Sequence, residues 1–495
     1  MEIKQKTQME EETVRHIQKV AFVYLSVQST SYVLTDDLGY AALRRPQLGL
    51  QYMCAVLEKK GIQTNIYDQS VHNFSFNWLA EQLKDYDMVG FSCSDAQEGK
   101  VKEYCTKLKE KSNIITVIGG PSTFWSTNFL DHHCDMVIHG EAEITISEIV
   151  DYYEGKLKLV DLKGVSYKHN GETIKAPPQP LVQNLDDLPF PDRSKVDITA
   201  YHDYFLFGMR KPYITMTASR GCIYRCSYCS SPTLWNLKDR RRSVDNVIAE
   251  IDEVVPKYGI KYIAFQDDIF GITPDWIQDF CAKLIAKPYK VRWMCIIHPL
   301  TLKGDDIVKT LTLMRKAGCD TLSFGLQSAD AEVLKNIARY PSEPENLKKV
   351  LHEANKLKFV TGVAFIFGLP GDTYETMKKT KEFALTSEAT LVNFFTLTIL
   401  RGSPMEKQFK SEAEACSIPQ EELLQLTQQA SKEFYTNPKV LARITTRIIR
   451  NNPSWPFKVS ATCLPSILGR IGFAHKKKTR QGVGRVEETA FAETT

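Results

Sequence analysis

Two series of short apolar, β-prone runs, each run followed by a stretch of helical spacing, constrain most of what this chain can fold into. In the first series Val20–Leu25, Gln63–Tyr67, Met88–Ser92, Ile114–Ile118 and Met136–His139 read as strands. Between them, Leu48–Lys60 places Leu50, Met53, Cys54 and Leu57 on one helical face, and shorter helical patterns cover Trp78–Leu83, Val101–Lys109 and Ala142–Tyr153. Apolar strands separated by helices are buried on both faces, which predicts a doubly wound, Rossmann-like parallel sheet. Such sheets bind ligands outside the carboxyl ends of their strands. Here those ends are Ser92-Cys93-Ser94, Gly119-Gly120-Pro121-Ser122 and Gly140-Glu141. Their small residues let a ligand approach the backbone closely. Ser92, Ser94, Gly119, Gly120, Ser122, Gly140 and Glu141 are therefore candidate binding residues. No GxGxxG follows the first strand, so a dinucleotide is disfavoured.

A β-hairpin, Lys163–Tyr167 and Glu172–Lys175, is expected around Asn170-Gly171, a favoured two-residue turn. Prolines at 177, 178, 180, 189 and 191 then forbid a regular ladder and predict an extended connector. The second series supplies six βα units, with strands at Tyr213–Thr217, Tyr262–Phe265, Arg292–Ile297, Thr321–Gly325, Val360–Phe367 and Leu391–Leu400. Pro274 opens one of the helices and Gly318 stops another. The expected domains are 1–155, a linker at 156–210, 211–410, and a helical region at 411–495 whose end is disordered.

After the first strand of the second series comes Ser219-Arg220-Gly221-Cys222-Ile223-Tyr224-Arg225-Cys226-Ser227-Tyr228-Cys229. Three thiols at CxxxCxxC spacing in one short loop can face a single iron–sulfur cube. A [4Fe–4S] cluster held by three cysteines keeps one iron open for a non-protein ligand. A structural zinc site wants four ligands, commonly in two paired halves, and no second CxxC or Cys/His pair lies nearby.

At these residues the chain resembles the radical S-adenosylmethionine (SAM) superfamily, whose signature is CxxxCxΦC, with Tyr228 at the aromatic position. The resemblance covers the whole second series and implies a partial (β/α)6 TIM-type barrel with its site at the strands' carboxyl ends. It implies Cys222, Cys226 and Cys229 as ligands of a [4Fe–4S] cluster whose open iron binds S-adenosyl-L-methionine. That molecule is then cleaved reductively to methionine and a 5′-deoxyadenosyl radical. It further implies an acidic residue at the second strand's end for the SAM amino group. Asp267 and Asp268 are adjacent and face opposite ways, and Asp268 is the preferred candidate. Gln327 and Ser328 stand where relatives contact the ribose, although Gln327 could instead cap the next helix. Gly368 and Gly371 fit close approach to adenine or simply a tight turn. Arg401 could bind a carboxylate or form a surface ion pair. Cys295 is expected to pack in the core, with a hydrogen-atom donor as the alternative.

The first series resembles the cobalamin-binding domain that precedes many radical SAM domains, through Pro46-Gln47-Leu48-Gly49-Leu50, Gly119-Gly120-Pro121 and Gly140-Glu141-Ala142-Glu143. The DxHxxG motif of other cobalamin proteins is not matched by Asp68-Gln69-Ser70-Val71-His72. Several radical SAM relatives lack that motif too; a Rossmann-like domain without cofactor is the alternative. The function implied is a cobalamin-dependent C-methyltransferase acting on an unactivated carbon of a small-molecule or peptide substrate. A flavodoxin- or ferredoxin-type electron donor would serve it. The alternatives are a non-methylating oxidation, cyclisation or ring rearrangement, and a cobalamin-binding sensor with a structural cluster.

Composition bounds the rest. A chain of 495 residues that is 43% hydrophobic and 25% charged is a folded globular protein. Its net charge of +4 does not itself point to nucleic acid, and no nucleic-acid partner is expected. It has 12 cysteines but a polar, Glu-rich start at Met1–Glu12, so a reducing cytoplasm is expected. No apolar run is long enough to span a membrane, and membrane contact is not expected. Beyond Ser411, helices are expected at Pro419–Tyr435 and Lys439–Ile449, then an apolar run Trp455–Phe473 and a solvated basic run Lys476–Arg480.

Overall fold

A computed structural model describes residues 14–26, 43–203 and 210–451. The start at Met1–Glu12, the Trp455–Phe473 run, the basic run Lys476–Arg480 and the chain end lie outside the described residues.

The strands, in chain order, are β1 (Lys19–Tyr24), β2 (Leu43–Arg44), β3 (Gln63–Asp68), β4 (Met88–Ser92), β5 (Ile115–Gly119), β6 (Met136–Ile138), β7 (Val165–His169), β8 (Glu172–Lys175) and β9 (His202–Asp203). One seven-stranded sheet has the order β3-β1-β4-β5-β6-β7-β8. β3, β1, β4, β5 and β6 run parallel, while β7 and β8 are antiparallel additions. The hairpin expected in the connector therefore extends the sheet, with Met136 beside Tyr167. Asn170 (φ 52°) and Gly171 (φ 85°) make its turn, both with the positive φ that a tight hairpin needs. Alternation splits β1 between two cores. Val20 and Phe22 pack with Leu50, Met53 and Ile149 on one face, and Ala21 and Val23 with Val101, Cys105 and Leu108 on the other.

The second sheet contains β10 (Tyr213–Met216), β13 (Tyr262–Phe265), β14 (Arg292–Ile296), β15 (Cys319–Gln327), β16 (Val360–Phe367) and β17 (Leu391–Thr396). They are parallel and lie in sequence order, with β10 and β17 as the two edges, which is the expected open six-stranded barrel. β11 (Ser219–Gly221) and β12 (Asp239–Arg241) form a separate antiparallel ribbon, and β2 pairs with β9. Helices Val244–Tyr258, Pro274–Ile285, Asp306–Lys316, Glu343–Lys356 and Tyr374–Thr386 cover the barrel's outside. The edge strand β17 is backed by helix Gln420–Thr436, whose Tyr435 hydroxyl donates to Val392 O (2.8 Å) and accepts from Val392 N (3.3 Å).

Cys295 lies in the outer core with Cys281, Leu311 and Trp293, whereas its strand neighbour Ile296 is exposed. The hydrogen-donor alternative for Cys295 is thus corrected: alternation turns its thiol away from the barrel interior. The proline-rich connector is tied to a helix of the N-terminal layer and to the barrel. Asp192 N donates to Gln51 O (3.0 Å), while Arg193 reaches Thr215 O (3.1 Å) and the Glu250 carboxylate (2.6 Å).

Candidate active site

The cysteine loop leaves the β11–β12 ribbon at Gly221, whose φ of +102° and close approach to the Lys238 carbonyl leave no room for a side chain. Cys226 is buried; Cys222 and Cys229 are half-buried. Each sulfur already faces a donor. Tyr224 N donates to Cys222 Sγ (3.5 Å), Ser231 N to Cys229 Sγ (3.4 Å) and Arg339 Nη1 to Cys226 Sγ (3.6 Å). Burial pushes the Cys222 thiol up to about 12 and the Cys229 thiol up to about 11. Thiols so raised become thiolates only when strong positive charge is bound to them, as iron supplies. Among the described residues no three His, Cys, Asp or Glu side chains converge on a point as one metal ion requires. Three cysteines in one loop match the three protein ligands of a cube with one open iron, whereas a structural zinc site takes four.

Arg339 is the residue that sequence reasoning missed. It is buried and fully engaged, donating to Tyr228 Oη (3.3 Å), Gly325 O (2.6 Å) and Glu343, and lying 3.2 Å from His298 Nε2. The Tyr224 ring stacks on His298 at 3.7 Å. The signal is slight: one basic residue in the stretch between two helices, 113 residues from the thiol it meets.

The two acids on β13's end part company. Asp267 is buried, and its Oδ1 accepts from Ala218 N (2.9 Å) and Ser219 Oγ (2.7 Å), so it holds the ribbon. Burial raises its carboxyl to about 7. Asp268 is exposed beside the cysteine loop, its Oδ2 accepting from Ser231 Oγ (3.2 Å). Gln327 follows an irregularity in the β15–β16 register and has φ +73°. Such backbone is costly for a non-glycine residue and clusters at functional sites. The helix after it is capped by Asp330, not by Gln327. Ser328 is buried and its hydroxyl accepts from Asp330 N (3.1 Å). Gly368 (φ +89°) is required by its turn: its N–H donates to Asp372 Oδ2 (3.0 Å), and a Cβ would meet Leu423 at 2.6 Å.

The N-terminal strand ends meet this site. Ser92 pairs in register with Gly119, and the Ser94 side chain and backbone both engage Gln97. Gly120 (φ +106°) lies so close to Cys93 that a Cβ would sit 2.7 Å from its carbonyl oxygen. Ser122 Oγ donates to Glu98 Oε1 (2.7 Å), and Arg401 Nη1 donates to the same oxygen (3.1 Å). Glu141 is buried and spends both carboxylate oxygens on Arg220 (2.9 Å) and Arg240 (2.8 Å). The Trp125 ring lies so close to Gly402 that a Cβ there would collide with it. These contacts turn the carboxyl ends of both sheets toward each other. At the position of the DxHxxG histidine stands Ser70, whose hydroxyl donates to Asp68 (2.6 Å). A corrin ring would therefore rest on small residues: at Gly119 and Gly140 a Cβ would meet only ordinary contacts, at 3.8 and 4.0 Å, which leaves a shallow cradle.

Comparison with known proteins agrees. Residues 216–384 match the Radical SAM superfamily and residues 36–150 the B12 binding domain. An uncharacterised methyltransferase of Pyrococcus horikoshii is 28% identical over 374 residues, covering 74% of this chain and 78% of that protein. The anaerobic magnesium-protoporphyrin IX monomethyl ester cyclase of Cereibacter sphaeroides is 25% identical, covering 74% of this chain and 61% of that enzyme. The fold is shared with the cobalamin-dependent S-adenosylmethionine radical enzyme OxsB, solved with aqua-cobalamin and S-adenosylmethionine bound (TM-score 0.69, 17% identity, 88% of this chain and 72% of that one). The chain belongs to the radical SAM superfamily and carries a B12-binding domain ahead of its radical SAM domain.

Proposed function

We propose that this chain is a cobalamin-dependent radical SAM methyltransferase that acts on an unactivated carbon of a small-molecule or peptide substrate. The observation that carries this reading is the direct joining of the cysteine loop's ribbon to the N-terminal strand ends, through Glu141 held by Arg220 and Arg240. When bound, the [4Fe–4S] cluster, S-adenosyl-L-methionine and cobalamin supply the electron, the hydrogen-abstracting radical and the methyl group.

The chain's own residues hold and shield. Cys222, Cys226 and Cys229 are the cluster ligands, and Arg339 adds a charged donor to the Cys226 sulfur. Asp268 takes the amino group of S-adenosyl-L-methionine, Gln327 its ribose, and Tyr228 closes the wall beneath Arg339. Gly119 and Gly140 leave the N-terminal edge shallow for a large ring, and Gly120 lets the turn beside them close on Cys93. The working units on this reading are the N-terminal sheet, the connector, the barrel and the helices after Ser411. No helix among the described residues is long and apolar enough to cross a membrane. A cytoplasmic site and a flavodoxin- or ferredoxin-type donor suit the cluster's need for reducing conditions.

The kinship with a cyclase favours one second reading, a cobalamin-dependent reaction without methyl transfer. Anaerobic reconstitution with iron, sulfide and hydroxocobalamin separates the two. Methyl transfer predicts retained cobalamin, formation of both 5′-deoxyadenosine and S-adenosylhomocysteine, and a product heavier by one CH2. Deoxyadenosine without S-adenosylhomocysteine would point to the second reading.

A further inference from the structure

We infer that Glu141 is a positioning residue: with Arg220 and Arg240 it clamps the cluster loop to the B12-binding domain and fixes how the two cofactor sites face each other. The inference rests on the function proposed above. Arg220 and Arg240 stand directly opposite each other across the β11–β12 ribbon. The ribbon's first strand ends at Gly221, one residue before Cys222. Glu141 follows β6 and opens the helix Ala142–Tyr153. Arg240 grips it with both terminal nitrogens (2.8 and 2.9 Å), and Arg220 shares one of its oxygens (2.9 Å) while reaching Glu143 (2.5 Å) with its other nitrogen. Val182 of the connector closes the group: its N–H donates to Glu141 (2.8 Å) and its carbonyl accepts from Arg240 (2.6 Å). The two guanidiniums also lie over aromatic faces, Arg220 over Tyr52 and Arg240 over Trp235.

All the charges in this group are nearly out of water: the side chains of Glu141, Glu143 and Arg240 are each 5% exposed and that of Arg220 14%. Burial opposes ionisation of Glu141, yet the hydrogen bond from Arg240 and the charge of Arg220 hold its carboxyl below the ordinary value. A buried ion pair is a poor source of net stability, since apolar residues of equal volume often do as well. What it supplies is direction. A planar guanidinium forked on a carboxylate fixes both distance and angle, which a lysine or an apolar contact does not. The fork of Arg240 on Glu141, with Arg220 bridging Glu141 and Glu143, leaves the ribbon little freedom to swing, and the cysteine loop moves with the ribbon.

The test uses the full chain and the variants Glu141→Gln and Arg220→Lys. Hydrogen exchange over residues 219–229 is compared with exchange in the far strands of the barrel. The clamp predicts faster exchange in 219–229, by roughly tenfold for Glu141→Gln and less for Arg220→Lys, with the far strands unchanged. In the reconstituted protein it also predicts an altered magnetic interaction between cob(II)alamin and the reduced cluster, at unchanged iron and cobalamin content. Unchanged exchange in 219–229, or a uniform rise everywhere, overturns the proposal and leaves Glu141 as a contributor to stability alone. If Glu141→Gln does not fold, Arg220→Lys, which keeps the charge and loses the bridge between Glu141 and Glu143, carries the same two outcomes. Exchange needs neither cofactor, so a parent chain that binds no cobalamin would sink the proposed function while the clamp is still judged by exchange.

Discussion

The carboxyl ends of the two sheets are built from different materials. The N-terminal sheet offers glycines and short hydroxyls, and its acids are already engaged, Glu141 by Arg220 and Arg240 and Glu98 by Ser122 and Arg401. The barrel offers three sulfurs, an exposed acid at Asp268 and a buried guanidinium at Arg339. The first kind of edge binds by shape and backbone, so it fails when volume is added. The second binds by donor atoms, so it fails when an atom is removed. The same strand-end position in two α/β sheets can thus respond in opposite ways to mutation.

The largest effect expected from this contrast is at the sulfurs. Cys222→Ala should abolish cluster binding and reduce S-adenosylmethionine cleavage to background, while cobalamin retention stays at the parental level. Iron analysis and cobalamin absorbance on the same sample check both halves, and joint loss would break the comparison. Next comes added volume. Gly120→Ala puts a Cβ 2.7 Å from the Cys93 carbonyl oxygen at a φ of +106°, at an expected cost of about 1–3 kcal/mol. It should lower cobalamin retention and leave the iron content alone.

The smallest effect distinguishes the two neighbouring acids. The fold raises the Asp267 carboxyl to about 7 from its ordinary 3.8, so it favours the protonated form. Its stabilising contribution is full below the ordinary value and is lost as pH rises through about 7. Asp267→Asn keeps the oxygen that accepts from Ala218 and Ser219 and should flatten that pH dependence in urea unfolding. Burial raises the Asp268 carboxyl as well, though it stands at the surface, so Asp268→Asn should flatten the same dependence to a smaller degree.

Strand positions were legible in the sequence to within a few residues because each buried strand is a nearly unbroken apolar run, as in Tyr213–Met216 and Tyr262–Phe265. The CxxxCxxC loop was legible because its donors are adjacent in the chain. The ribbon was not, because Ser219-Arg220-Gly221 and Asp239-Arg240-Arg241 are three-residue polar strands without alternation. The hairpin's membership in the sheet was hidden for another reason: pairing Met136 with Tyr167 is a tertiary choice that local spacing leaves open. Glu141 could be read only as a residue at a ligand-binding edge, because its partners lie 79 and 99 positions away. Arg339 was invisible for the same reason.

The hydroxyl of Tyr435 on Val392 has a consequence for the rim of the barrel. A six-stranded barrel that stays unclosed leaves a rim strand with unpaired peptide groups, and such rims recruit strands from other molecules. Here one phenol occupies the amide and carbonyl of Val392 from the side, and its helix lies along the strand where a foreign strand would add. At β17 the barrel can therefore keep its gap, which a closed eight-stranded barrel gives up, with the amide and carbonyl of Val392 already taken.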